Sequence, residues 1–554
     1  MKKGPEWLKD AIFYEIYPQS FLDTNGDGIG DLPGVIQKLD YIQSLGCNAI
    51  WLNPCFVSPF GDAGYDVSDF RKVDPRYGTN DDMLRLFEEA HKRGMKVTLD
   101  LVAGHTSVQH PWFQASASPQ QNAYSNWYIW TDSVWTESHN GAPLVRGYSD
   151  RNAAYMPNYF HFQPALNYGF QEPDPDKPWQ LPTNHPDVLA LREEMKNIMR
   201  FWMDAGADGF RVDMASSLVK SDPEMKGTIA FWQDVRAMFD QEYPDCVLIA
   251  EWSFPKHALQ AGFHLDFMIH FNTEAYNSLF RDEKKRDCFL TPGTRYGHSF
   301  FDREGKGDIT RFLTHYIEHF TETRDFGYIS LPTGNHDLTR ISCHRTIEEL
   351  KVIYAFLWTM PGIPYLYYGD EIGMRYISGL TSKEGGFGRV GSRTPMQWDG
   401  TKKAGFSSAP EELFYLPLDA SSSRPSVAEQ EKTTDSLLNH TRALAKLRRE
   451  HPALGSEADF IVLYGEKNLY PFIYLRKAEN ETIMVVINPA ERTTRVSLEM
   501  DVSQISSLWE GGIQITPKEH KVEVVCDSVS YGLFSVQLVT NTPKFEADLA
   551  QISK

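Results

Sequence analysis

Long apolar stretches are missing from this chain. The most apolar window, residues 352–368 (VIYAFLWTMPGIPYLYY), is interrupted by Pro361, Gly362 and Pro364. A buried helix turning into a strand suits that pattern better than a bilayer span. Cysteine is scarce, at six in 554 residues, and no two stand in a C-x-x-C spacing. Cys47, Cys55, Cys246, Cys288, Cys343 and Cys526 therefore read as reduced, buried small hydrophobes rather than a disulfide framework. Positive charge is in deficit, with 55 Lys and Arg against 74 Asp and Glu and a formal charge of −19. Nucleic acid and anionic membranes select for basic faces, so neither is expected as a partner. Residues 1–21 carry three lysines but no uninterrupted apolar segment and no small-residue cleavage site. The expectation is a soluble, cytoplasmic chain without a signal peptide.

What is present fits a large globular protein. Hydrophobic residues make up 41% and charged residues 23%, well outside the disordered class. Eight short apolar runs recur, at 12–18, 48–54, 96–102, 209–215, 246–252, 265–271, 328–334 and 363–369. Near-continuous runs of this kind suit parallel strands buried on both faces. Amphipathic helices lie between them. In residues 184–206 the positions Val188, Leu191, Met195, Ile198, Trp202 and Ala205 share one face, with Asn184 as the expected N-cap and Gly206 just past the end. Eight alternating βα units predict an α/β fold of the (β/α)8 TIM-barrel type.

Two stretches break the rhythm. Residues 104–180 have no long helical period and are rich in Trp, Tyr, His, Asn and Pro, which predicts a subdomain inserted after strand 3. The Gly-, Ser- and Pro-rich stretch 373–432 is a second irregular insertion. From about 456 the pattern turns to alternating strands and predicts a C-terminal antiparallel β-sandwich. The expected organisation is a barrel over 1–103 and 181–455, the subdomain 104–180, and the β-domain 456–554.

In such a barrel the reacting groups stand at the C-terminal ends of strands. Strand three ends in Asp100 and His105, strand four in Arg211 and Asp213, strand five in Glu251, and strand seven in Asn335, His336 and Asp337. Two carboxyl groups about 5–5.5 Å apart are what retaining glycoside hydrolysis requires. Asp213 and Glu251, on adjacent strands, are the candidates for nucleophile and proton donor. Arg211, two residues before Asp213 on the same face, is expected to keep it ionised. A metal site is the competing reading of a His/Asp/Glu cluster, but no tight ligand spacing such as HExxH occurs.

The segments AIFYEIYPQSF, GIGDLPGVIQKLDYIQSLGCNAIWLNP, SPFGDAGYDVSDF, LDLVAGHTS, GFRVDMASS, IAEW, GNHD, MPGIPYLYYGDEIGM and SRTPMQWDG follow one another between residues 11 and 400. With them the chain resembles the α-amylase superfamily of glycoside hydrolases (glycoside hydrolase family 13), in its branch of oligo-1,6-glucosidases, α-glucosidases and trehalose synthases. The resemblance implies Asp213 as nucleophile, Glu251 as general acid/base and Asp337 as transition-state stabiliser. It implies that His105, Arg211 and His336 hold the first sugar, that Tyr65 stacks on it, and that Asp62 with Arg393 closes the pocket around a terminal glucose. The expected partner is a small oligosaccharide or disaccharide.

The loop carrying Asp23, Asn25, Asp27, Ile29 and Asp31 offers oxygen ligands at alternating positions between glycines. That is the ligand logic of calcium, although position twelve is Gly34 rather than the glutamate of an EF-hand. The resemblance adds the Ile29 carbonyl as a ligand and implies a structural Ca2+, or Mg2+ in its place. Three positions depart from the family pattern: Gly104 stands where Asn is usual, Ala165 replaces the acid in QPALN, and Met214 follows the nucleophile. The first two argue against a second calcium and an endo-acting amylase; the third leaves the linkage preference open. The leading expectation is a retaining exo-acting α-glucosidase. The alternatives are a transglycosylase or isomerase, such as a trehalose synthase or glucosyltransferase, and a non-catalytic relative.

Overall fold

The computed structural model describes residues 3–137, 143–268, 274–281 and 297–539. The last three residues of the sixth apolar run, Cys288 and the chain beyond 539 lie outside the described residues.

Each apolar run supplies one barrel strand: β1 (Phe13–Ile16), β2 (Ala49–Leu52), β3 (Lys96–Leu101), β4 (Gly209–Val212), β5 (Val247–Ala250), β6 (Leu265–Phe267), β7 (Tyr328–Ser330) and β8 (Tyr365–Tyr367). They form one parallel sheet in the order β8-β1-β2-β3-β4-β5-β6-β7. Between β7 and β8 the seam is bridged just past β7, where the Thr333 amide donates to the Tyr365 carbonyl at 3.0 Å. The Thr333 hydroxyl in turn accepts the Tyr367 amide at 3.1 Å. Parallel strands bury both faces, so the interior is filled with rings rather than left as a channel. Phe13 stacks on Tyr365 at 4.4 Å, Phe267 meets Tyr365 at 4.7 Å, and Trp51 meets Phe267 at 5.5 Å. This aromatic layer supports the polar groups above it.

Helices follow the expected pattern with informative differences at their ends. The helix Asn80–Lys92 opens with a reciprocal capping box between Thr79 and Asp82 and is followed by Gly94 at φ 68°. Pro186–Asp204 begins one residue later than the sequence suggests. Its N-cap is His185, whose side chain accepts from the Asp187 amide, and not Asn184. Histidine is a weak helix-start signal beside asparagine, which is why the sequence points to the wrong neighbour. Gly206 does stand past the C-cap, at φ 116°. The window 352–368 resolves into the helix Ile347–Thr359 and strand β8. No helix among the described residues is long and apolar enough to cross a membrane.

Among the described residues, 104–180 hold one short helix, Pro111–Ser116, and a set of isolated bridges such as His105 with Ala165. The C-terminal part has strands β9 (Asp459–Tyr464), β10 (Phe472–Lys477), β11 (Thr482–Asn488), β12 (Thr494–Glu499), β13 (Val502–Trp509), β14 (Ile513–Lys518), β15 (Lys521–Cys526) and β16 (Ser530–Leu538). They make a five-stranded sheet, β9-β10-β11-β16-β13, over a three-stranded one, β12-β15-β14. Strand periodicity divides their side chains. Ile473, Leu475, Met484 and Val486 pack between the two sheets with Val522 and Val524. Their sequence neighbours Phe472, Tyr474, Ile483 and Val485 join the barrel core.

One cysteine expectation is corrected. Cys47, Cys55, Cys246 and Cys526 are free thiols, three of them buried, but Cys343 is disulfide-bonded. Without a short spacing motif, sequence alone could not distinguish it from the others.

Candidate active site

Strands β4 and β5 run in register, with Val212 opposite Ala250. The next residue on each strand is therefore Asp213 and Glu251, level with one another at the C-terminal rim. Backbone bonds fix that level: the Asp213 amide donates to the Leu101 carbonyl at 2.9 Å and the Glu251 amide to the Val212 carbonyl at 3.0 Å. Arg211, opposite Asp100 across the β3–β4 ladder, points inward and is 1% exposed. Its guanidinium meets three carboxylates: Asp100 at 2.8 Å, Asp213 at 3.1 Å and Glu251 at 2.7 Å. It also lies over the Trp51 ring, 4.8 Å from the centroid.

One fixed positive charge among three carboxylates, two of them buried, leaves an excess of negative charge, which favours holding a proton within the group. Burial, then the charge of Glu251, pushes the Asp213 carboxyl well above the usual range, against the pull of Arg211. The pull of Arg211 has the direction expected from the sequence, but that guanidinium is shared with Asp100 and Glu251.

A second cluster comes from β1, β2 and the β7 rim. His336 Nδ1 lies 2.7 Å from Glu15 Oε1, and its Nε2 lies 2.8 Å from the Tyr65 hydroxyl. Tyr65 also donates to Asp100 at 2.9 Å and stacks on His336 with centroids 5.4 Å apart. Asn53 reaches Glu15 at 3.3 Å. His105 is fully buried, and desolvation lowers its pKa to about 4. Its Nε2 lies 3.1 Å from the Tyr65 carbonyl and its Nδ1 lies 3.1 Å from Asn158. A carbonyl only accepts, so this neutral ring carries its proton on Nε2.

Asp337 sits between two guanidinium groups, with Arg393 at 2.6 Å and Arg389 at 2.9 Å. Arg393 is held by the His336 carbonyl at 2.8 Å. The structure does not pair Asp62 directly with Arg393. Asp62 meets Arg389 at 3.3 Å and accepts from Gln163 at 2.9 Å. Asp62 is 4% exposed, so this is no surface pair. Arg389, four residues before Arg393 on the 3-10 turn Phe387–Ser392, spans Asp62 and Asp337.

Asp213, Glu251, Asp337, Asp62, Tyr65, His105, Arg211, His336 and Arg393 thus converge on one rim. Sequence reasoning missed Glu15, Asn53, Asn158, Gln163 and Arg389. Glu15 had a readable signal, being the lone charge in an apolar strand. The others come from loops whose partners are distant in sequence. Lys220 was also missed. Its ammonium lies between the barrel and the inserted subdomain, 3.4 Å from Asn158 Oδ1 and bonded to the Ser217 carbonyl. Burial lowers its pKa to about 8.

The loop around Asp23 lies apart from this rim. Asp23 accepts the amides of Asn25, Gly26 and Gly28 at 3.1, 2.8 and 2.8 Å. Asn25 accepts from the Asp27 amide at 2.9 Å and Asp27 from the Ile29 amide at 2.8 Å. Asp31 accepts from Thr24 at 2.9 Å and caps the helix Leu32–Gln37 through the Gly34 amide at 2.7 Å. Among the described residues no group of three or more His, Cys, Asp or Glu side chains is arranged to hold a metal ion. The loop oxygens serve as turn acceptors, and a cation would exchange some of these bonds for its own.

A family profile described as alpha amylase, catalytic domain, matches residues 15–457. The trehalose synthase/amylase TreS of Mycobacterium tuberculosis is 32% identical over 583 residues, covering 97% of this chain and 91% of that protein. The oligo-1,6-glucosidase of Heyndrickxia coagulans is 29% identical over 558 residues, covering 88% and 93%. Among solved structures, the isomaltulose synthase of Erwinia rhapontici NX5 superposes with a TM-score of 0.78 at 25% identity, covering 96% and 99%.

Proposed function

The chain belongs to the α-amylase family of glycoside hydrolases, and from that premise we propose a retaining, exo-acting α-glucosidase that releases glucose from short α-glucosides. One observation carries the reading: Asp213 and Glu251 stand level on adjacent strands and share the Arg211 guanidinium.

In the proposed reaction Glu251 donates its proton to the glycosidic oxygen as the Asp213 carboxylate attacks the anomeric carbon. The C–O bond to the leaving group breaks and a glucosyl ester on Asp213 forms. Glu251, now ionised, takes a proton from water, whose oxygen displaces Asp213 and restores both groups. Arg211 and Asp100 set the charge that the pair works against. Asp337, held by Arg389 and Arg393, is placed to bind sugar hydroxyls as positive charge develops on the ring. Tyr65, His105 and His336 form the wall beneath the first sugar. Asp62, tied to Arg389 and Gln163, blocks extension past the non-reducing end, which supports exo action over internal cleavage.

A second reading, glucosyl transfer or isomerisation, uses the same intermediate with a sugar hydroxyl in place of water. It is supported by the relatives named trehalose synthase and isomaltulose synthase. The two readings separate on a panel of maltose, isomaltose, sucrose, trehalose, kojibiose, nigerose and starch. Hydrolysis releases the terminal glucosyl unit as free glucose for every bond cleaved. New disaccharides at low glucose yield would replace it with transfer.

Calcium in the 23–31 loop is a separate proposal that rests on the all-oxygen donor set of Asp23, Asn25, Asp27, Ile29 and Asp31. The ion, or magnesium in its place, would be structural. Added calcium is expected to raise Tm and a chelator to lower it; a Tm indifferent to both removes the ion from the account.

A further inference from the structure

Gly104 has no left-handed φ to explain it; what it provides is room. A Cβ at this position would lie 2.8 Å from Asn158 Nδ2 and 3.2 Å from Ser217 Oγ. Asn158, half-buried and contributed by the inserted subdomain, fills the space that a side chain at 104 would occupy. From there its amide nitrogen reaches His105 Nδ1 at 3.1 Å, Ser217 Oγ at 3.3 Å and the Met214 sulfur at 3.9 Å. Its carbonyl oxygen faces Lys220 at 3.4 Å.

Two of the four residues at the other end of these contacts, His105 and Met214, border the reaction. His105 lies on the wall of the candidate site, buried and neutral. Its Nε2–H is committed to the Tyr65 carbonyl, so its orientation depends on what Nδ1 accepts. Met214 follows Asp213 directly, at φ 44°, a conformation that a bulky side chain holds only when its surroundings impose it. Its amide donates to Glu251 Oε2 at 2.9 Å, and a shift in Met214 would therefore be felt by both members of the carboxylate pair.

We propose that Asn158 is a positioning residue of the active site: seated over Gly104, it fixes the His105 ring and the Met214 side chain, and so couples the inserted subdomain to substrate fit. The proposal rests on the glycosidase reading only for its kinetic readout. It extends that reading by assigning part of the specificity to a residue outside the barrel.

The test is a double-mutant cycle on the full chain with Asn158→Ala and Gly104→Ala, read in kcat and KM for p-nitrophenyl α-glucoside and in Tm. Gly104→Ala places a methyl group where the Asn158 amide sits and displaces it, so both variants remove the same contact. Each is expected to raise KM about tenfold with a smaller change in kcat, as loss of substrate orientation does. The double variant is expected to be little worse than Asn158→Ala alone, in KM and in Tm, because once the amide is gone the new methyl group meets no closer neighbour than the Ser217 hydroxyl, at 3.2 Å. Unchanged KM in Asn158→Ala, or additive effects in the double variant, would overturn the assignment. If the wild-type chain does not cleave the glucoside, the glycosidase reading fails and the Tm cycle decides on Asn158 by the same criterion of additivity.

Discussion

Asp213→Asn is expected to lower kcat on α-glucosides by at least about 10^4-fold while the protein stays folded. The amide is nearly isosteric with the carboxyl but cannot form the glucosyl ester, so the covalent step is lost outright. Its effect on the surroundings is mild. Arg211 keeps Asp100 at 2.8 Å and Glu251 at 2.7 Å, and one negative charge leaves a group that holds too many. Tm is therefore expected to be unchanged or slightly higher. This differs from removing Arg211, which would leave three clustered carboxylates, two of them buried, without their counter-charge and is expected to cost several kcal/mol. Single-turnover assays with circular dichroism check both halves. Activity within tenfold of wild type would show that Asp213 is not the attacking group.

Asp62→Ala comes next in size, with an expected loss of about 10^2–10^3-fold in kcat/KM on maltose-sized substrates. Asp62 is buried, and its two oxygens are divided between Arg389 and Gln163 at 3.3 and 2.9 Å. Deleting it leaves a half-buried guanidinium with Asp337 as its remaining carboxylate, at 2.9 Å. Arg389 then draws on the oxygen of Asp337 that would otherwise bind sugar hydroxyls. The damage thus reaches the transition state as well as the pocket end, and kcat should fall together with affinity. Arg389→Ala is expected to fail in the same way, and the pair to be non-additive because both belong to one network. Unchanged kinetics on maltose for Asp62→Ala would remove the pocket-end role from the account.

The two predictions differ in how far they could be read from sequence. Asp213, Glu251 and Arg211 were legible because strand ends in a parallel barrel face one rim, and period-two alternation puts Arg211 and Asp213 on one side. The eight runs were legible for the same reason: burial on both faces leaves near-continuous apolar segments. The partner of Asp62 was not. Arg389 lies on an irregular 3-10 turn 327 residues away, and no periodicity says which of two nearby arginines the carboxylate meets. The charge balance at Asp213 was legible only in part, because the sequence showed one arginine beside one aspartate, while packing gives that arginine three acids. Asn158 was invisible for a related reason. The vacancy at Gly104 was plain in the sequence, but the residue that fills it comes from a loop without regular structure.

The central claim is a double displacement through a glucosyl ester, and its most direct test is the anomer first released from an α-glucoside. Proton NMR of early hydrolysis is predicted to show α-glucose first, with β-glucose rising only as mutarotation proceeds. Initial release of the β-anomer would mean a single inverting displacement and would contradict the account.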